Sequence, residues 1–179
     1  MGALNENYRW LMGSSKYVGI SGGDSIPLND ALSSLSRDVE LPLIVIGMAS
    51  HENADENPFQ EDFRALTRAD AIAQFSQDHF NRAPQIYKIN LGAYRSRSGP
   101  AGTSAVERRV AVLQITCWDE GADLQSGVRN ALVKAGRRGG TSVNGPGYTN
   151  FDPERFIVTT VTERTGGVKP PRCAPQAVE

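Results

Sequence analysis

The sequence predicts an α/β fold, an α+β sandwich in which a mixed sheet of βαβαββ type carries helices packed on it. Three observations lead there. The run from Leu41 to Met48 (LPLIVIGM) is apolar without a break and rich in β-branched residues, the mark of a strand buried on both faces. The stretch from about Glu61 to Phe80 carries apolar residues at helical spacing. Strand-like and helix-like segments then alternate along the chain in the order β-α-β-α-β-β-α-β.

Each element has its own signal. Residues 1–15, with Tyr8, Trp10, Leu11 and Met12, read as a short packed arm. Lys16–Ile20 reads as a strand weakened by Gly19. Pro27 suits a first helical turn, and Leu28, Ala31, Leu32, Leu35 and Val39 follow on one helical face. The apolar strand comes next, then a polar loop over 49–60. In the helix after it, Phe63, Leu66, Ala69, Ile72, Ala73 and Phe75 are expected to line the inner face. Pro84 ends that helix. Gln85–Tyr94 alternates, with Tyr87, Ile89 and Leu91 on one side. Arg109–Trp118 is a further strand, Asp123–Ala135 a helix led by Leu124, Val128 and Leu132, and Phe156–Thr162 a last strand. The adjacent third and fourth strands are candidates for antiparallel pairing. The tail from Arg164, with Gly-Gly and Pro-Pro pairs, reads as disordered.

The chain has 179 residues, enough for one domain with a core. Hydrophobic residues make up 39% and charged residues 22%, ordinary globular usage, and the net charge of −1 gives no global field for nucleic acid or an anionic membrane. No stretch of about 18 apolar residues occurs, so no membrane insertion is expected. The start has neither a basic n-region nor an apolar h-region, and the expectation is a chain without a secretory signal. Two cysteines, Cys117 and Cys173, and two histidines, His51 and His79, match no zinc spacing. Cys117 reads as a small buried hydrophobe and Cys173 as an exposed tail residue. A single disulfide between them is possible without being indicated, and the redox compartment stays open.

Several short motifs occur in a fixed order. The strand Leu43-Ile-Val-Ile-Gly47 leads into Met48-Ala-Ser-His-Glu52. The next helix carries Arg68-Ala69-x-x-Ile72, the next strand is Ile89-Asn-Leu-Gly-Ala93, and Glu107-Arg-Arg-Val110 opens the one after. This order resembles the OmpA-like, peptidoglycan-associated family over roughly residues 16–116. There a strand ends in Gly-x-Thr-Asp, a helix opens Leu-Ser-x-x-Arg-Ala, a strand runs into Gly-x-Gly, and Asn-Arg-Arg-Val closes the pattern. The resemblance implies a non-catalytic module that binds peptidoglycan peptide. In the family the Asp and the Arg hold the zwitterionic diaminopimelate, a carboxylate for its ammonium and a guanidinium for its carboxylate. Arg68 matches the family arginine. Ser50 stands where the family has its aspartate, which leaves Glu52 or Asp55 to meet the ammonium. Arg64 and Ala65 stand at the Leu-Ser place, and Glu107 replaces the Asn before Arg108. The ligand-binding set implied is Ser50, Glu52, Asp55, Arg68 and Arg108.

Other features have plainer readings. Without the resemblance, Arg68 reads as a solvated helix arginine. Arg108 and Arg109 read as an exposed edge or salt-bridge pair, with a structural role. The acidic residues Glu52, Asp55, Glu56, Glu61 and Asp62 read as a solvated loop and a favourable helix start, and they lack calcium-loop spacing. Among the basic residues between Arg95 and Arg138 stands a single aromatic, Trp118, too few for a stacking surface, so no nucleic-acid partner is expected. Ser21-Gly-Gly-Asp-Ser25 is one residue short of a pyrophosphatase phosphate loop, and a serine hydrolase would need a histidine after His79, of which there is none. It reads as a turn with Asp24 or Ser25 near a helix N-cap. His51 reads as an exposed loop histidine.

The domain division expected is an arm over 1–15, an OmpA-like domain over 16–116, an extension over 117–163 packed on the same domain, and a flexible tail over 164–179. The functional expectation is a binding module without catalysis, cofactor or metal, whose partner is peptidoglycan peptide or a protein in a cell-envelope assembly. The alternatives are a structural subunit that has lost wall binding and, last, an enzyme built on residues 21–25. By resemblance the location is periplasmic or cell envelope, and cytoplasmic if the chain is complete without a signal.

Overall fold

The doubly buried strand is β5 (Leu43–Ala49), and it lies at the centre of a five-stranded sheet. The computed structural model describes residues 2–5, 8–19, 24–50, 57–83, 85–93, 108–119, 121, 123–137, 157–163 and 170–173. Glu52, Asp55 and His51, the Ser21–Gly23 part of the glycine loop, and tail residues 164–169 and 174–179 lie outside the described residues.

Across the sheet the order is β1 (Gly2–Asn5), β7 (Ala111–Gln114), β5, β6 (Gln85–Ala93) and β8 (Ile157–Glu163). β5 and β6 are parallel, joined through α2 (Pro58–His79), and every other pairing is antiparallel. The third and fourth predicted strands, β6 and β7, are therefore not neighbours. Each flanks β5 instead, because the strand that is apolar on both faces takes the most buried position. The predicted strand to Trp118 closes early, at Gln114. A second sheet, β2 (Arg9–Trp10), β3 (Tyr17–Gly19) and β4 (Ile26–Pro27), precedes α1 (Leu28–Leu32). The arm is thus built into both sheets.

Alternation along β5 divides the core. Leu43 and Val45 join Ile86, Val110, Val112, Ile72, Ala73 and Phe80 on the α2 side, where Trp10, Val18 and Leu32 also pack. Ile44, Ile46 and Met48 join Tyr87, Ile89 and Leu91 on the other side, covered by Val128 and Leu132 of α3 (Leu124–Arg137). Helices cover both faces of the sheet, so strands β5 and β6 are shielded on both sides.

Two helices differ from their sequence reading. The first ends after Leu32 instead of running to Val39. The Ser33 hydroxyl donates to the Asp30 carbonyl, competing with the helical ladder, and no side chain caps the N-terminus. Asp24 and Ser25 accordingly cap nothing, while Val39 still reaches the core from irregular chain. In α2 the inner face is small: Ala65, Ala69, Ala73 and Ser76 are buried, whereas Phe63 (69%) and Leu66 (36%) face outward. The close approach of α2 to β5 selects those small residues.

The cysteines pair. Cys117 and Cys173 form a disulfide, and the Trp118 amide donates to the Pro171 carbonyl at 2.8 Å. The tail is therefore anchored at residues 170–173, and both cysteines are half-buried, not a buried thiol and an exposed one. The outer strand β8 is bulged at Val161, where Gln77 Nε2 donates to Thr162 Oγ1 and the Val161 carbonyl, and Gln125 Oε1 accepts from the Val158 amide. Side chains thus occupy groups that an edge strand would otherwise offer to another chain.

The tightest contact in this arrangement is at Gly47. A Cβ there would lie 2.0 Å from the Ala65 carbonyl oxygen and 2.6 Å from Ala69 Cβ, so α2 rests directly on the β5 backbone. Gly47→Ala is expected to destabilise the domain by about 3 kcal/mol, the cost of overpacking against backbone that cannot yield. Urea unfolding measures it, and an unchanged midpoint would show that α2 does not sit so close.

Candidate functional site

The site grows out of α2 and the carboxyl end of β5. Asn57 caps the helix by accepting from the Gln60 amide at 3.2 Å, and Pro58 occupies the first turn. These two residues start the helix immediately after the loop that leaves β5. The Gly47 contact then fixes the height of the helix over the strand. At spacings of three and seven, Glu61, Arg64 and Arg68 fall on neighbouring positions of one helix face. At the sheet end, β6 gains one residue over β5, and Gly92 takes φ +70° there with its amide held by Asn90 Oδ1. Asn90 Nδ2 in turn donates to the Asp62 carbonyl at 3.4 Å, tying that end of β6 to α2.

Arg68 is fully buried. Its Nη1 donates to the Met48 carbonyl at 2.9 Å, its Nε to the Ser14 carbonyl at 2.9 Å and its Nη2 to the Leu11 carbonyl at 3.3 Å. Its Cζ lies 5.7 Å from the Trp10 ring centre. The solvated reading of this arginine is overturned. Burial, then the charges of Arg64 and Arg108, lower its pKa from the ordinary arginine value to about 9, and Glu61 works in the opposite direction. The guanidinium therefore stays cationic at neutral pH.

Of the residues singled out from sequence, Arg68, Arg108 and Ser50 converge. Arg108, 9% exposed, donates from Nε to the Trp10 carbonyl at 3.0 Å, and its charge acts on Arg68. Ser50 is buried two residues beyond the Met48 carbonyl that Arg68 holds. Arg109 is buried as well, which removes the exposed-edge reading of the pair. Glu52 and Asp55 lie outside the described residues.

Sequence reasoning missed Glu61. Its place in an acidic stretch pointed to solvent, yet it is 1% exposed and its Oε1 accepts from Arg64 Nη1. Two buried polar atoms of this region take no hydrogen bond, Trp10 Nε1 and Glu61 Oε2. The available signal was the i, i+3, i+7 relation to Arg64 and Arg68.

Among the described residues, no group of three or more His, Cys, Asp or Glu side chains gathers to hold a metal. A separate groove of about 630 Å³ lies farther along α2, between Lys16, Tyr17, Arg37, Phe75 and Asp78. His79 borders it, but its Nε2 is engaged with the Leu35 carbonyl at 2.7 Å and its ring stacks on Phe75, so it serves packing. None of Ser50, Arg68 and Arg108 lines this groove. No known protein family, curated protein or solved structure matches the chain.

Arg68→Lys tests the clasp. An ammonium keeps the charge but cannot span three carbonyls in the guanidinium's plane. The expected loss is about 2–4 kcal/mol, read by urea unfolding, since polar groups inside the fold lose their donors. A loss near that of an exposed arginine, below about 0.5 kcal/mol, would remove the clasp from the account.

Proposed function

We propose that this chain is a non-catalytic OmpA-like module that binds peptidoglycan peptide, or a protein partner, in a cell-envelope assembly. One observation carries the reading: Arg68 holds the Met48 carbonyl where β5 turns toward buried Ser50, with Arg108 beside it. The resemblance asks for a guanidinium at that place to meet a ligand carboxylate. Carboxyl ends of parallel strands are also where ligands collect in α/β sheets, because the departing loop leaves a crevice there. The Cys117–Cys173 disulfide supports an oxidising compartment, as an envelope location requires. The chemistry of the cluster is recognition by charge.

A ligand reaches Arg68 only past the turn Leu11–Lys16, whose carbonyls now occupy two arms of the guanidinium. That occupancy favours a second reading, a structural subunit in which Arg68 serves the fold alone. Met12 at the turn is 68% exposed and Gly13 sits at φ +71°, so the turn carries little core.

Co-sedimentation with purified peptidoglycan separates the two. The binding reading predicts retention of the wild type, at least tenfold weaker retention of Arg68→Ala, and stronger retention of Ser50→Asp, which returns a carboxylate to the turn. Arg82→Ala, on the exposed surface, serves as control. Absence of wild-type retention would remove wall binding, and a stoichiometric protein complex on size exclusion would then favour the structural subunit.

A further inference from the structure

The groove of about 630 Å³ along α2 has the size of a small-molecule site, and its lining is ordered from end to end. Ala71 and Phe75 of α2 make the floor, and Tyr17, Pro27 and Leu28 make one wall, where β3 pairs with β4 and α1 begins. Phe75 is held in place by its stack on His79, with ring centres 4.7 Å apart, and Tyr17 lines the groove at 48% exposure. Ser14 gives its carbonyl to Arg68, so Ser15 and Lys16 stand at the Ala71 end. The Ser14 hydroxyl oxygen also accepts from the amides of Lys16 and Tyr17, which fixes where those two side chains leave the backbone. Leu35 meets His79 through its carbonyl, so Arg37 stands at the other end, which Asp78 also lines. Ala71 and His79 lie about 12 Å apart along the helix, at a rise of about 1.5 Å per residue. Asp38 and Glu40, beside Arg37 in sequence, face Arg82 at 3.4 and 3.5 Å, and Asp78 accepts from Gln74 Nε2 at 3.4 Å. Among the described residues, no carboxylate lies within ion-pair distance of Lys16 or Arg37. Charge is therefore uneven along the groove. Lys16 is uncompensated at one end, and Arg37 and Asp78 offset each other at the other.

We propose that this groove binds an aromatic acid, a flat apolar body carrying one anionic group, carboxylate or phosphate. The anion meets the Lys16 ammonium and the Ser15 hydroxyl. The ring lies between Tyr17 and Phe75, where aromatic side chains offer stacked and edge contacts. The far end of the ligand is uncharged and polar, because a guanidinium and a carboxylate together suit a group that both accepts and donates. Charge sets the orientation and the selectivity. A cationic ligand meets Lys16, a neutral ring forgoes that contact, and a diacid brings its second charge to Asp78. An ammonium is a point charge, so it takes a carboxylate and a phosphate alike. The site is separate from wall binding, since none of Ser50, Arg68 and Arg108 lines the groove.

Four probes titrated into the full chain and followed by amide NMR separate these contributions. 2-Naphthoate and 2-naphthyl phosphate carry the ring and one anion, 2-naphthol the ring alone, and 2,6-naphthalenedicarboxylate an anion at each end. In the wild type, the Tyr17 and Ala71 amides should shift saturably with at least one of the two monoacids, and the Val128 amide, on the other face of the sheet, should not. The tighter of the two monoacids names the anion, and it should bind at least fivefold tighter than 2-naphthol. The dicarboxylate should bind no tighter than 2-naphthoate. Lys16 and Arg37 are exposed, so their glutamine variants keep the fold. Lys16→Gln should bring the preferred monoacid within twofold of 2-naphthol, whereas Arg37→Gln should leave the preference in place. A wild type whose groove amides saturate with neither monoacid overturns the proposal. So does 2-naphthol binding as tightly as the acids, or a preference for the acid that survives Lys16→Gln. Retention on peptidoglycan is independent of all these outcomes.

Discussion

A guanidinium with no exposure to water sits where three separate parts of the chain meet. Arg68 comes from α2, the Met48 carbonyl from the end of β5, and the Leu11 and Ser14 carbonyls from the turn between β2 and β3. Burying that charge is costly, and carbonyl acceptors with an aromatic face nearby offset the loss of water. The contact is possible only because Gly47 lets α2 lie on the strand backbone with Ala65 and Ala69 facing it. A larger residue at any of these positions lifts the helix and moves Arg68 away from Met48. Fold and candidate site thus share one constraint. The small residues chosen for packing also set the distance over which the arginine acts.

The consequence is a concentration of charge at one end of the sheet. Arg68 and Arg108 are buried, Arg64 partly so, and Glu61 lies enclosed on the same helix as Arg64 and Arg68. Among the described residues, the pair in which Arg82 lies 3.4 Å from Asp38 is exposed, and such pairs contribute little to stability. Enclosed charges are different, because each needs a partner of opposite sign or a set of polar atoms. The exposed large apolar residues of α2, Phe59, Phe63 and Leu66, belong to the outward face of the same stretch of helix. Packing pressure therefore eases over the first half of α2, while its inward charges remain fixed in place.

Legibility in the sequence followed the strength of the local pattern. β5 was readable because eight consecutive residues from Leu41 to Met48 are compatible with no exposed face. α2, β6 and α3 are readable from periodicity, and β8 from its run of strand-forming residues. The helix from Leu28 was overextended because apolar spacing continues to Val39, whereas Ser33 bonds backward and ends it. β1 and β2 are four and two residues long, too short to carry a period, and exist through their partners, β7 far along the chain for β1 and the nearby β3 for β2. Of the inner-face residues expected in α2, Ala69, Ile72 and Ala73 lie inside, whereas Phe63 and Leu66 face outward, because contact with a glycine selects alanine. Arg68 was found through a family resemblance and Glu61 was not, since its burial depends on how α2 overlies the end of the sheet. The disulfide lay equally beyond reach, because 56 residues separate its cysteines and only the fold brings them together.

The enclosure of Arg68 is the claim on which the account turns, and hydrogen exchange of its side chain reads it directly. In ¹⁵N NMR near neutral pH, the Nε–H of Arg68, assigned by its loss in the lysine variant, can be compared with that of Arg82 in the same spectrum. The account predicts a resolved Arg68 signal exchanging slower than Arg82 by on the order of 100-fold, as expected for a bonded donor inside a stable fold. An Arg68 Nε–H that exchanges as fast as Arg82 would contradict it, since the guanidinium would then lie in water.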